Sequence, residues 1–379
     1  MPETGVYENL RSSLNNFPVR LPKTKETYEL LEMLFSEEEA EFVSRAFTYP
    51  YQDAQTADGI ASKLGKGLED IRPVLDGLVQ DGLIMKFTHW KDGKSYYTSL
   101  PVLPGFFEMY FAGPVGKPDS RTSMDSRKKV AKLLETLYLD KGLAMELGAS
   151  DYPWARVLPV EKTLTIKPGT RIDGRTEILP FEEASKFIRT SHRIALINCA
   201  CRTKKSCQHP VETCIVFDIA ADYMIARGAG RELTEEQALA KLEECEEAGL
   251  IHCTTNSQER PQVICNCCTC ACVILRGISE MNNPRALMKS NYRPEREGEK
   301  CTTCAKCVKS CPFGAHVYHA AHEDGEKDTV IFIEERCIGC GLCAYHCSKD
   351  ALKMVKTGDK IPVEKPAQVW LAYEAERIH

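Results

Sequence analysis

A chain of 379 residues, 43% hydrophobic and carrying a formal charge of −5, has material for two or three domains at about 150 residues each. The acidic balance disfavours nucleic acid as the main partner. No apolar run reaches about 18 residues, because Asp218 and Asp222 interrupt the nearest one, Thr213 to Ala226, so membrane insertion is not expected.

Residues 1–22 read as an irregular arm containing Pro18 and Pro22, with neither a basic start nor an apolar core of the kind a secretory signal needs. Apolar spacing predicts helices over Lys23 to Phe35 and Glu37 to Phe47, with Ser36 and Glu39 as a capping box between them. Two shorter helices follow, Asp53 to Leu64 and Leu68 to Gln80. The second carries the stripe Leu68, Ile71, Leu75, Leu78 and Val79. Gly82 closes it, and Leu83 to Thr88 and Ser95 to Leu100 read as strands joined at Asp92-Gly93. This order of helices and hairpin, from about Thr56 to Pro101, resembles winged helix-turn-helix domains, with Leu68 to Gln80 in the recognition position. Glu69, Asp70, Asp76 and Asp81 against the single Arg72 give that helix the wrong sign for a phosphate surface. The basic hairpin residues Lys86, His89, Lys91 and Lys94 read as a solvated edge, so docking or a structural role is expected instead of DNA binding. The segment Pro101 to Phe107 leads to a boundary near residue 113.

In the middle third, the strand Ile194 to Ile197 delivers Cys199 and Cys201-Arg202, followed by Cys207 and Cys214. Thr213 to Ala226 reads as a helix, and Thr234 with Gln237 caps another that runs to Ala248. A second strand at Val263-Ile264 ends in Cys265, Cys267, Cys268, Cys270 and Cys272. These nine thiols suit one or two additional [4Fe–4S] clusters, with zinc or redox-active thiols as alternatives. Cys267 and Cys268 cannot face the same side of a strand, so not all nine serve one centre. Cys245 and Cys253 read as packed or free thiols, and His192, His209 and His252 as hydrogen-bonded structural residues.

Cys301, Cys304, Cys307 and Cys311 make a C-x-x-C-x-x-C-x-x-x-C run that recurs 36 residues later as Cys337, Cys340, Cys343 and Cys347. Such runs suit cuboidal clusters better than a tetrahedral zinc, which commonly takes two separated pairs. They resemble bacterial-type two-cluster ferredoxins. The resemblance implies one [4Fe–4S] cluster on Cys301, Cys304, Cys307 and Cys347, and another on Cys337, Cys340, Cys343 and Cys311. Pro312 follows the family pattern, whereas Ser348 stands where a second proline is usual. Lys306 and Lys309 put positive charge beside the first cluster, which would raise its potential relative to the second, with a merely solvated lysine pair as the alternative.

The wider pattern, with Cys199, Cys201, Arg202, Cys207, Cys214 and Ile264-Cys265-Asn266-Cys267-Cys268 ahead of the double run, resembles cytoplasmic 4Fe–4S dicluster domain proteins of anaerobic bacteria. Ala271 departs from it, where relatives often carry a further cysteine. The resemblance implies electron transfer with no defined substrate. The expected architecture is α+β: an arm (1–22), a winged-helix-like domain (23–112), a small cysteine-rich α/β domain (113–298), a bacterial dicluster ferredoxin-like domain (299–355) and a tail (356–379). Clustered thiols fit a reducing, cytoplasmic setting better than a secreted disulfide framework.

The expected function is a non-catalytic electron-transfer subunit serving a redox partner such as ferredoxin or a flavin- or metal-dependent oxidoreductase, as a homo- or hetero-oligomer. An oxidoreductase with a site-differentiated central cluster and a cluster-based redox regulator are the alternatives. No G-x-G-x-x-G or P-loop supports nicotinamide or phosphate chemistry. In the tail, Val369 to Tyr373 form an apolar patch that wants cover, with a partner subunit slightly favoured over the chain's own body.

Overall fold

The structure, a computed structural model, describes residues 5–165, 177–321 and 327–378. Two units pack separately: Met1–Ala149 with Ala195–Glu232, and Ser150–Ile194 with Leu233–His379.

In the first unit the N-terminal arm is not irregular. Val6–Leu14 is a helix that buries Leu10, Ser13 and Leu14 against the helix Glu37–Ala46, and the Ser13 hydroxyl donates to the Phe47 carbonyl at 2.7 Å. Pro18 and Pro22 lie beyond its last turn, so they limit the helix without preventing it. The helices Lys25–Leu34 and Glu37–Ala46 follow. Both bonds of the capping box are formed: the Glu39 amide donates to Ser36 at 3.2 Å, and the Ser36 amide to Glu39 at 2.8 Å. The Glu39 carboxylate also binds Arg121 (2.6 Å), whose Nε meets Asp81 (3.0 Å) at the far end of the helix Leu68–Asp81.

Ahead of that helix, Gln55–Thr56 is a short strand, and Thr56 caps the helix Ala57–Leu64 through the Gly59 amide. The expected start at Asp53 therefore moves to Ala57. Three strands form one antiparallel sheet with Ser95–Ser99 in the middle, flanked by Gln55–Thr56 and Ile84–Thr88. Ile71, Leu75 and Leu78 face the core from Leu68–Asp81, while Glu69, Asp70 and Asp76 stay exposed.

The expected helix Thr213 to Ala226 divides. Glu212–Phe217 is a strand, because Thr213, Ile215, Val216 and Phe217 are β-branched or aromatic and all are buried. Asp218 takes a left-handed φ of 49° at the break, and the helix Asp218–Ala226 begins there. Among the described residues, no helix is long and apolar enough to cross a membrane.

The second unit pairs Ala155–Leu158 with Ile251–Thr255, and Ile251–Thr255 with Val263–Cys267, all antiparallel. Its C-terminal part carries the 36-residue repeat into structure. The 3-10 turn Gly298–Lys300, helix Lys306–Ser310 and strand His316–His319 recur as Glu334–Arg336, Leu342–Tyr345 and Leu352–Lys356. Leu352–Lys356 pairs antiparallel with Tyr292–Arg296 and parallel with Leu164–Thr165. At its end, the Lys356 ammonium meets the Glu182 carboxylate at 2.8 Å, both side chains being almost fully buried. Asn291 (2.9 Å), the Tyr292 hydroxyl (3.1 Å) and the Leu179 amide (2.8 Å) complete the shell around Glu182.

The tail forms the helix Pro366–Ala375, which lies against its own unit. Val369 and Tyr373 are fully buried and Trp370 stacks on Trp154 with ring centroids 5.6 Å apart. The expected preference for cover by a partner subunit is thus corrected: three of the four large apolar side chains are satisfied within the chain, and Leu371 alone of them is mostly exposed.

Candidate iron–sulfur sites

Cys311, Cys337, Cys340 and Cys343 line one cavity, together with Pro312, Ile338 and Met354. Burial, and then the charges of neighbouring thiols, push Cys340 up to about 12 and push Cys337 and Cys343 upward as well. A site in which burial and neighbouring thiols discourage ionisation of Cys337, Cys340 and Cys343 is a poor one for free thiolates. It is a good one for a cationic centre that neutralises them. The surrounding backbone favours sulfur as an acceptor: the Ala315 amide donates to Cys311 Sγ at 3.2 Å, Gly339 to Cys337 at 3.4 Å and Ala351 to Cys347 at 3.3 Å. The donor set and its amides therefore fit an all-cysteine iron–sulfur cluster.

The remaining four cysteines of the double run are less enclosed. Cys307 and Cys347 pack against the apolar cluster of Tyr292, Cys343, Ala344, Leu352 and Met354. Burial raises the Cys307 thiol, with Cys301 and Cys347 adding to the rise. Cys304 is exposed, and its thiol is lowered by the Lys306 amide, with a smaller contribution from the Lys306 ammonium.

In the first unit, Cys199 follows the strand Ile194–Asn198 and stands at the start of the helix Ala200–Lys204, while Cys214 sits on the strand Glu212–Phe217. Hydrogen bonds with Cys201 and then Cys214 draw the Cys199 thiol well below its ordinary value, overcoming burial, and the Arg202 guanidinium assists. Arg202 is itself buried and donates to Thr213. Burial pushes the nearby Glu108 carboxyl up to about 8, against the Gly105 amide that it accepts, and the Cys199 charge adds to the push. Cys207 Sγ lies 3.6 Å from His209 Nδ1, within hydrogen-bond reach for sulfur.

In the second unit, Cys265 and Cys267 lie on Val263–Cys267, and Cys272 stands at the start of the helix Val273–Ser279. Cys267 is within hydrogen-bond reach of Cys253, Cys265 and Cys272. The first of these contacts, with burial, raises its thiol, while the other two oppose the rise. Cys268 is buried and Cys270 exposed. His252 pairs with Asn266 at 2.5 Å and with Glu246 at 3.3 Å, the hydrogen-bonded structural role expected of it. Cys253 lies beside Cys267, a placement that the sequence does not show. Its partners are set by strand register, which the spacing of cysteines along the chain does not carry.

Residues 300–351 match the family described as "4Fe-4S dicluster domain". They form a 4Fe-4S dicluster domain. Over 64 residues the chain is 33% identical to Ferredoxin-3 of Nostoc sp., covering 14% of this chain and 66% of that protein. It is 32% identical over 63 residues to pyruvate synthase subunit PorD of Methanothermobacter marburgensis, covering 17% of this chain and 65% of that one. It is 34% identical over 65 residues to the archaeal glutamate synthase [NADPH] of Archaeoglobus fulgidus, covering 17% of this chain but only 12% of that enzyme. No solved structure matches the chain.

Within the dicluster domain the two runs differ at the residues that turn the backbone between ligand positions. Gly339 and Gly341 adopt φ of 75° and 85°, and a Cβ on Gly339 would come within 2.5 Å of the Tyr292 carbonyl oxygen as well as meeting the Ser290 hydroxyl. The corresponding residues of the first run, Thr303 and Ala305, hold left-handed φ of 50° and 57° despite their side chains. Only glycine adopts that region without cost, so the first run carries backbone strain that the second avoids.

Proposed function

We propose that this chain is an iron–sulfur electron-transfer protein or subunit that passes single electrons to or from a partner oxidoreductase. The observation that carries the reading is the cavity lined by Cys311, Cys337, Cys340 and Cys343 inside a matched 4Fe-4S dicluster domain. These four residues hold one [4Fe–4S] cluster, and Cys301, Cys304, Cys307 and Cys347 hold the other. When bound, each cluster takes up and releases one electron at a time. The chain's own contribution is to bury the ligands, to aim amides at Cys311, Cys337 and Cys347, and to set Lys306 beside Cys304. Of the two ligand sets, the second lies deeper and the first lies nearer the surface, which suits the first for exchange with a partner.

The relatives support an oxidoreductase partner, since they include a ferredoxin, a pyruvate synthase subunit and a glutamate synthase. A ferredoxin or a flavin- or metal-dependent oxidoreductase of the cytoplasm is the partner class. The helices Ala57–Leu64 and Leu68–Asp81 with their three-stranded sheet form a winged helix that serves docking. Its exposed Glu69, Asp70 and Asp76 repel phosphate and favour a basic protein surface. The central cysteines Cys199, Cys201, Cys207, Cys214, Cys265, Cys267, Cys268, Cys270 and Cys272 supply ligands for one or two additional clusters. Iron and acid-labile sulfide counted after anaerobic purification test the reading. About eight irons belong to the dicluster domain and about four or eight more to the centre. Fewer than about eight irons, or zinc in their place, would overturn it.

A further inference from the structure

From its sequence context Cys253 is a packed or free thiol, lying just beyond a helix and away from the dense cysteine run. The fold gives it different company. Ile251–Thr255 pairs with Val263–Cys267 in a register that sets Cys253 directly across from Cys265. Side chains of directly opposed residues leave the same face of a sheet, and so does Cys267, two residues on from Cys265. Cys272 reaches this face from the start of the helix Val273–Ser279, within hydrogen-bond range of Cys267.

The register is held from the other side. His252 and Asn266, paired with each other in the ladder, alternate onto the opposite face, where they hydrogen-bond at 2.5 Å. A slip of one residue would bury that polar pair among thiols and turn the cysteines away, so the lock and the thiol face specify each other. Cys253, Cys267 and Cys272 are only 2%, 5% and 4% exposed, and Cys265 is half-buried. The hydrogen bond with Cys267 draws the Cys253 thiol down. Burial and the charges of Cys272, Cys265 and Cys340 push it further up, and the net direction is upward. Cys340 belongs to the dicluster domain, which puts this group of thiols within electrostatic reach of the more deeply buried ligand set.

We propose that Cys253, Cys265, Cys267 and Cys272 form a further [4Fe–4S] site, next to the Cys340 end of the dicluster domain. Four soft sulfur donors on one buried face suit either iron–sulfur or zinc. The choice of iron–sulfur rests on the electron-transfer reading above, whereas the identity of the quartet rests on strand register for Cys253, Cys265 and Cys267 and on the contact with Cys267 for Cys272. Cys268, next along from Cys267, and the exposed Cys270 fall outside the quartet, as does Cys245, buried in the helix Glu235–Glu247.

The test uses the full chain, purified anaerobically, as wild type and as Cys253→Ala, Cys272→Ala and Cys245→Ser. Iron and labile sulfide are counted, zinc is measured in parallel, and the reduced dicluster domain is followed by EPR as a report on folding. Loss of about four irons and four sulfides in both alanine variants, with Cys245→Ser at wild-type content and the dicluster signal retained in all, is the expected result. Two single-site variants in different elements guard against one that fails to fold. Wild-type iron in Cys253→Ala would overturn the quartet and leave the electron-transfer reading standing. A zinc ion lost from Cys253→Ala with iron unchanged would overturn the cluster. Absence of the dicluster iron from wild type would instead overturn the electron-transfer reading itself.

Discussion

The pair Lys356–Glu182 anchors the strand Leu352–Lys356 that follows the dicluster domain, and removing its cation has a calculable consequence. The Lys356 ammonium sits 2.8 Å from Glu182 Oε2 and 2.8 Å from the Glu177 carbonyl, with side-chain exposures of 2% and 4% for the pair. Lys356→Met preserves much of the side-chain volume but leaves a buried carboxylate without its counter-charge. Breaking a buried pair in this way costs about 3–5 kcal/mol. Asn291, Tyr292 and the Leu179 amide still donate to Glu182, so the expected loss lies near the lower bound, about 3 kcal/mol. Lys356→Met combined with Glu182→Gln removes both charges and should recover a large part of that loss. Anaerobic urea unfolding of the holoprotein, followed by the absorbance of the clusters and by circular dichroism, measures the shift. A loss below about 1 kcal/mol for the single variant, or simple additivity in the double variant, would refute the reasoning.

Gly339→Ala places a Cβ against the Tyr292 carbonyl at a left-handed φ, so iron content should fall by about four per chain, while Ala305→Gly should raise stability by up to about 1 kcal/mol. Iron assay and urea midpoints check the two variants. The exposed Glu69, Asp70 and Asp76 should prevent salt-sensitive, sequence-selective DNA binding, and an anisotropy titration that found sub-micromolar binding would favour a regulator.

Cysteine spacing made the dicluster domain legible because all the information lies along the chain. Three ligands of each set fall within seven residues, and the repeat then reappears element by element, from Gly298–Lys300 to His316–His319 and from Glu334–Arg336 to Leu352–Lys356. Caps were equally local, and both the Ser36–Glu39 and Thr234–Gln237 boxes form. What failed was non-local or competing. Thr213 to Phe217 is apolar enough for a buried helix, and only its β-branched content argued for a strand. Val6–Leu14 was obscured by prolines that lie beyond it. The Glu182 shell draws on residues more than a hundred positions apart, and Cys253 gains its neighbours from register, neither of which a linear pattern exposes.

Passage of electrons through the dicluster domain to a partner depends on Cys340 in the proposed function, and stopped-flow reduction of the Cys340→Ala variant measures that dependence. Cys340 lines the cavity of the more buried ligand set, so its loss should remove that cluster, seen by EPR, while the central iron largely remains. Electron delivery from ferredoxin or dithionite to the partner oxidoreductase should then be abolished, because transport requires every centre in series. Unchanged partner reduction with the cluster gone would mean that electrons do not travel through it.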